Sequence, residues 1–252
     1  MPAGFETYTP DGRVQLLANM TYFRLEQRID LPTSGWGQFG NNSGQRDVFV
    51  AGLTMADAPM MALTATTHTW ADIVSTANGG ITWRVYAVNP SASTIVAIVF
   101  SQRRPPVSDH MAGAEFFMTD GTIAWSSDYP IARPLGVITQ NGYSGVSVAG
   151  RHLAHVPQKQ EVSTALSFTY AGLGSCRQGN TNGYQVYRRD QWARTGVTAW
   201  GGGTIYGASN AFYADSGNIQ YTCALSPQSV PISQNIGSLG GWRSLVLDVT
   251  NF

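Results

Sequence analysis

Apolar and polar residues alternate along this chain in short runs bounded by turn formers. The clearest is Ile81-Thr82-Trp83-Arg84-Val85-Tyr86-Ala87-Val88, where alternation places Ile81, Trp83, Val85 and Ala87 on one face of a strand. Asn89-Pro90-Ser91 breaks the run, and Thr94 to Ser101 comes next as a β-branched stretch. The two are expected to pair as a hairpin with a core face. No segment holds a helical period. Met55 to Ala65 comes nearest, and Pro59 interrupts it by removing a backbone donor and crowding the preceding turn. The pattern predicts an all-β chain of sandwich or barrel type.

Arg103-Arg104-Pro105-Pro106 marks the expected division, because two prolines fix φ and deny the chain two ladder donors. The expectation is two tandem β-sandwich domains of jelly-roll-like build. Residues 1–104 form the first, and 105–252 form a longer second one, rich in glycine and aromatics. The segment after the prolines echoes the start of the chain. Tyr8-Thr9-Pro10-Asp11-Gly12 and Phe117-Met118-Thr119-Asp120-Gly121 each place an aromatic three residues before Asp-Gly, with alternating apolar positions after it. Asp-Gly tolerates the positive φ of a tight hairpin turn, so each copy predicts a hairpin. A weaker third echo is Phe212-Tyr213-Ala214-Asp215-Ser216-Gly217.

Composition sharpens this picture. Hydrophobic residues make up 43% of 252, ample for a core, but charged residues make up only 12%, about half the usual share. Fifteen basic residues balance fifteen acidic ones, which argues against a nucleic-acid partner, since that needs an excess of Lys and Arg facing phosphate. So few charges also give little solubility to a lone monomer and suit a chain packed among other subunits. No apolar run reaches the ~18 residues of a membrane helix, so no membrane insertion is expected. Met1-Pro2-Ala3-Gly4-Phe5-Glu6 has neither a basic start nor an apolar segment after it, so no signal peptide is expected. Cys176 and Cys223 are too few for a metal cage. Two reduced thiols is the expectation, with a single bridge as the alternative.

The opening segment, with its Gly-aromatic start, its Asp11-Gly12 turn and its alternating strand, resembles a family of tailed-bacteriophage minor tail, tail-tip and fibre-associated proteins. The likeness covers the first 25 residues well and residues 114 to 135 loosely. The closing Ser244-Leu245-Val246-Leu247-Asp248-Val249-Thr250-Asn251-Phe252 is similar in ending on a strand. The resemblance implies a virion component of the distal tail, built of β domains and repeated around a symmetry axis as a trimer or ring. Its partners would be other tail subunits, with a host surface receptor as a further one. It carries no catalytic residues to transfer.

Motifs for chemistry are sparse. His152-Leu153-Ala154-His155 has a metal-like spacing only on a helix; on a strand the two imidazoles face opposite ways. No Gly-x-Ser-x-Gly elbow occurs, and Gly201-Gly202-Gly203 lacks the Lys and Ser/Thr of a phosphate loop. Glu6, Glu26, Glu115, Glu161, Asp57, Asp72, Asp109 and Asp190 are the carboxylates left for glycoside cleavage, and nothing in their spacing pairs them. We therefore expect no enzyme, no metal and no cofactor. Aromatics are the remaining candidates. Trp36 and Phe39 lie in Gly35-Trp36-Gly37-Gln38-Phe39-Gly40, and Tyr184, Tyr187, Trp192, Trp200 and Tyr206 gather in a Gly/Asn/Arg-rich segment. Subunit contact or core filling is the leading expectation for them, and stacking on host sugar the alternative.

Overall fold

Strand periodicity governs every regular element that the computed structural model describes, namely within residues 6–8, 14–17, 22–105, 115–117, 120–139, 146–147, 149–159, 162–201, 203–215, 219–224, 233–238 and 242–252. The chain is all-β: among these residues no α-helix occurs. The first half contributes β1 (Glu6–Tyr8), β2 (Val14–Leu17), β3 (Arg24–Leu31), β4 (Gly37–Gln38), β5 (Ser43–Ala51), β6 (Met60–Ser75), β7 (Gly80–Val88) and β8 (Ile95–Ser101). Then come β9 (Glu115–Phe117), β10 (Ile123–Ser126), β11 (Arg133–Thr139), β12 (Val146–Ser147), β13 (Leu153–Lys159) and β14 (Val162–Gln178). The last are β15 (Thr181–Trp200), β16 (Thr204–Asp215), β17 (Ile219–Ala224), β18 (Ser233–Ser238) and β19 (Arg243–Asp248).

Pro59 does stop a helix before it starts. Met55–Asp57 makes one 3-10 turn, held by the Thr54 N–H and hydroxyl donating to the Asp57 carboxylate, and β6 begins at once. β6 is long enough to serve two sets of neighbours. Along one edge Met60–Ala65 pairs with β8 and Thr69–Ser75 pairs with β7; along the other, Leu63 meets His155 of β13, and Ala65 and Thr69 meet β15. β15 is divided in the same way, between β14 and β6 on one edge and β17 and β16 on the other. Fifteen of the described strands thereby join one sheet, whose path runs β11-β19-β13-β6-β15-β14-β18. Backbone pairing through β6 crosses the expected division at residue 104.

The expected hairpin of 81–88 with 94–101 does not form. β7 pairs with β5 and β6, whereas β8 pairs with β3 and β6. Both edges of β7 are already occupied, and Asn89 turns left-handed (φ 45°) into the 3-10 turn Pro90–Ala92, carrying the chain into the facing layer. The two layers then close on each other. Ile81, Trp83, Val85 and Ala87 meet Leu63, Ile95, Ala97 and Val99 in the first core, on the shared face that alternation predicts. All of β8 is buried, and each large apolar side chain removed from water there contributes about 2 kcal/mol.

A second core joins Trp70 and Tyr86, from the opposite face of β6 and β7, to Leu153, Val197, Ile205, Phe212, Trp242 and Val246. A third packs Val96, Ile98 and Phe100 against Ala154, Val156 and Leu247. The two Asp-Gly copies behave alike: β1 pairs with β2 and β9 with β10, both antiparallel. Gly121 takes φ 79° in the second turn, while Asp11 and Gly12 lie outside the described residues. The third echo is different. β16 and β17 both pair with β15, not with each other.

The cysteines correct another expectation, because Cys176 and Cys223 are bonded to each other, 47 positions apart. Register explains the meeting. Cys176 sits opposite Gly183 of β15, and Cys223 sits opposite Gln185 on the other edge of the same strand. An added Cβ at Gly183 would lie 2.7 Å from the Cys223 sulfur, so only glycine leaves room for the bridge to cross.

Candidate functional site

The glycine-rich loop reaches the second core because glycine lets it. Gly40 has φ 80°, and an added Cβ would lie 2.4 Å from the Tyr213 carbonyl oxygen of β16. The Asn41 N–H donates to that same oxygen at 2.8 Å, and the Phe39 N–H donates to the Ser43 carbonyl at 2.9 Å. Pinned this way, the Phe39 ring lies 4.4 Å from that of Tyr86 and 4.9 Å from that of Trp192, with Phe212 at 6.2 Å. Trp192 and Arg194 project from the same side of β15, and the guanidinium stands 5.3 Å from the Phe39 ring and 5.5 Å from the Trp192 ring. Asp72 completes the group, accepting from the Trp70 indole at 3.1 Å. Burial raises its carboxyl pKa against that hydrogen bond and the Arg194 charge. Burial and the Asp72 charge raise the Tyr86 phenol likewise. This cluster clamps a loop onto the sheet and fills space; it is core rather than an open site.

Trp200 stands elsewhere, at the end of β15. It borders a cleft of about 300 Å³ lined also by Val96, Ile98 and the closing segment Val249, Thr250, Asn251 and Phe252. His152 lines it too, its ring 6.4 Å from the Trp200 ring. Gly201 leaves room for that ring, since an added Cβ there would fall 2.9 Å from the imidazole. The closing segment is braced on several sides. The Val249 N–H donates to the His152 carbonyl at 2.8 Å, and the His152 N–H donates to the Thr250 hydroxyl at 2.9 Å. The Thr250 N–H donates to Asp248 at 2.9 Å, and Arg28 donates to the Phe252 carbonyl at 2.7 Å. The Phe252 ring seats on Phe100 at 5.6 Å.

The remaining candidates are scattered. Tyr206 is 44% exposed and sits edge-on to His68, whose Nδ1 lies 3.0 Å from the Thr198 hydroxyl. Burial lowers the His68 pKa. Trp36 packs against the first core and donates its indole N–H to the Pro32 carbonyl at 2.8 Å. Tyr184 and Tyr187 are half-buried on β15, opposite Ala224 and Gln220 of β17. The segment from 184 to 206 therefore supplies no single aromatic surface. Of the seven candidate aromatics, Phe39 and Trp192 are the pair in ring contact.

No family model, curated protein or solved structure matches this chain. Function must accordingly be read from these residues. Among the described ones, no group of three or more His, Cys, Asp and Glu is placed to hold a metal. The histidine pair does split across the strand: His152 is exposed, and His155 is completely buried. The buried ring bridges three strands, with Nε2 3.0 Å from the Thr69 hydroxyl of β6 and Nδ1 3.1 Å from the Ser244 hydroxyl of β19. Ser244 donates onward to the Val156 carbonyl at 2.9 Å, so its oxygen can accept from Nδ1–H. Nε2 then accepts from Thr69, a tautomer we assign from this network. Burial, with the nearby His68 as a lesser cause, lowers the His155 pKa to about 3.

Three of the carboxylates considered for glycoside cleavage, Asp57, Glu26 and Asp72, hold partners of their own. Asp57 holds its 3-10 turn, Glu26 pairs with Arg24 at 2.8 Å, and the Trp200 cleft is lined by no carboxylate. Asp109 and Glu161 lie outside the described residues. Sequence reasoning did not single out Tyr86, Arg194 or the 249–252 segment, and it weighed His152 only for a metal, because their neighbours come from remote strands. One signal was present: Asp248-Val249-Thr250 is a local side-chain-to-backbone turn of the kind Asp favours.

Proposed function

We propose that this chain is a structural subunit of a bacteriophage tail, at the tip or associated with the fibre, and that it acts by assembly. On this reading it works as two jelly-roll-like sandwich units, residues 1–104 and 105–252, coupled through β6 and repeated as a trimer or ring in the virion. The observation carrying the proposal is where apolar surface is left over. Leu135 (45% exposed) and Val137 (52%) stand on β11, the strand at one end of the described sheet path, and Leu173 (64%) stands on β14. Large apolar side chains on strands, in a chain with so few charges, suit burial against neighbouring subunits. The resemblance of the opening segment to tail proteins supports the setting. The bonded Cys176–Cys223 pair fits a protein that ends up outside a reducing cytoplasm.

Sedimentation of the purified chain tests this reading. Self-association or binding to other tail proteins is expected, and Leu135→Glu with Val137→Glu should weaken it. A chain that stays monomeric at high concentration and binds no tail component sinks the proposal. The Trp200 cleft favours a second reading, in which the chain also contacts a host surface receptor such as a polysaccharide or pilus.

A further inference from the structure

We infer that the cleft beneath Trp200 is a binding site for one neutral sugar residue. The inference rests on the receptor reading and deepens it by naming ligand class and location. Three features of the cleft select this chemistry. Its volume, about 300 Å³, is at the small end of ligand pockets and enough for one sugar residue. Its lining combines Trp200 with the aliphatic Val96 and Ile98. A pyranose offers a matching C–H face, which stacks on an indole.

The rim supplies hydroxyl partners rather than charge. Thr250 accepts from the His152 N–H and donates its hydroxyl to the Asp248 carboxylate, so it can offer a ligand an acceptor lone pair. Asn251, exposed and held at φ 73°, presents an amide with both donor and acceptor. His152 adds an exposed imidazole at the lip. The only guanidinium of the lining, Arg28, is committed to the Phe252 carbonyl and, at 3.1 Å, to Asp30. A phosphate or carboxylate would meet a cation partly balanced by Asp30, and an amine would meet no Asp or Glu side chain of the lining. A neutral polyol with one apolar face suits both halves of the cleft.

The site is also preformed. The closing segment is tied at Val249, Thr250 and Phe252 by hydrogen bonds, so a ligand orders little backbone on binding. With no carboxylate pair flanking the ligand, the site binds sugar without cleaving it.

Calorimetric titration and saturation-transfer NMR of the full chain test this, using glucose, galactose, mannose and N-acetylglucosamine separately, with inorganic phosphate as the charged control. Saturable millimolar binding of at least one sugar, and none of phosphate, is the expected result. Trp200→Ala should weaken it about tenfold, through loss of the stacking surface. Asn251→Gly keeps the left-handed backbone accessible while removing the amide, and should weaken it several-fold. No saturable binding by any of the four sugars, stronger binding of phosphate, or binding indifferent to both variants overturns the assignment. Sugar binding by a chain that joins no tail would leave this site standing and remove the virion setting. Tail assembly with no sugar binding would do the reverse.

Discussion

Acidification should loosen this protein, and the completely buried His155 lets the effect be measured. His155 titrates at about 3 in the fold and at about 6.5 in an unfolded chain. Its folded value is depressed, so the unfolded state binds the extra proton, and stability falls as pH drops below 6.5. The loss deepens by about 1.4 kcal/mol per pH unit and levels off near pH 3. Between pH 7 and pH 5 it amounts to about 2 kcal/mol, a large part of a typical margin of about 5–15. The buried site explains the sign: the ring touches two hydroxyls and no carboxylate, so nothing compensates an imidazolium there.

His155→Leu removes the titrating group while Ser244 keeps its bond to Val156, and the Thr69 hydroxyl can turn its proton from the ring to the Val197 carbonyl, 3.3 Å away. Urea unfolding at pH 7, 6, 5 and 4.5, monitored by tryptophan fluorescence, gives the stability of wild type and variant side by side. The difference between them should shrink or reverse toward acid by about 2 kcal/mol from pH 7 to pH 5, with carboxylate effects common to both cancelling. Parallel pH curves, or a wild type that gains stability relative to the variant below pH 6, would refute the reasoning.

The packing sets two further outcomes. Breaking the Cys176–Cys223 bridge, by reductant or by Cys176→Ser with Cys223→Ser, should lower stability by about 2–4 kcal/mol, since the closed segment spans 47 positions; denaturant midpoints with and without reductant measure it. Gly207→Ala should cost about 1–3 kcal/mol because its Cβ would fall 2.4 Å from the Trp242 ring, and a thermal melt indistinguishable from wild type would contradict that packing.

Alternation exposed the strands themselves, because side-chain period is a local property: the face of Ile81, Trp83, Val85 and Ala87 and the buried run of β8 were both readable. Pairing was not. Whether β7 folds back on β8 depends on what already flanks it, and the competitors, β5 and β6, lie elsewhere in the sequence. The cysteines illustrate the same limit, since only the register of β14 and β17 along opposite edges of β15 brings them together. Among the aromatics, residue type identified Trp200 and Phe39. Their different surroundings, an open cleft and a packed cluster, come from segments as remote as Phe252 and Phe212.

The double duty of β6 has a consequence for biosynthesis. Its far edge waits for partners such as Val197, which is 128 positions downstream of Thr69. On a ribosome the first half emerges with a long apolar ribbon only partly satisfied, and it stays so until β15 has been made. Maturation is then late and all at once, so translation speed and chaperone supply, more than the final energy of the native state, set the yield of usable molecules.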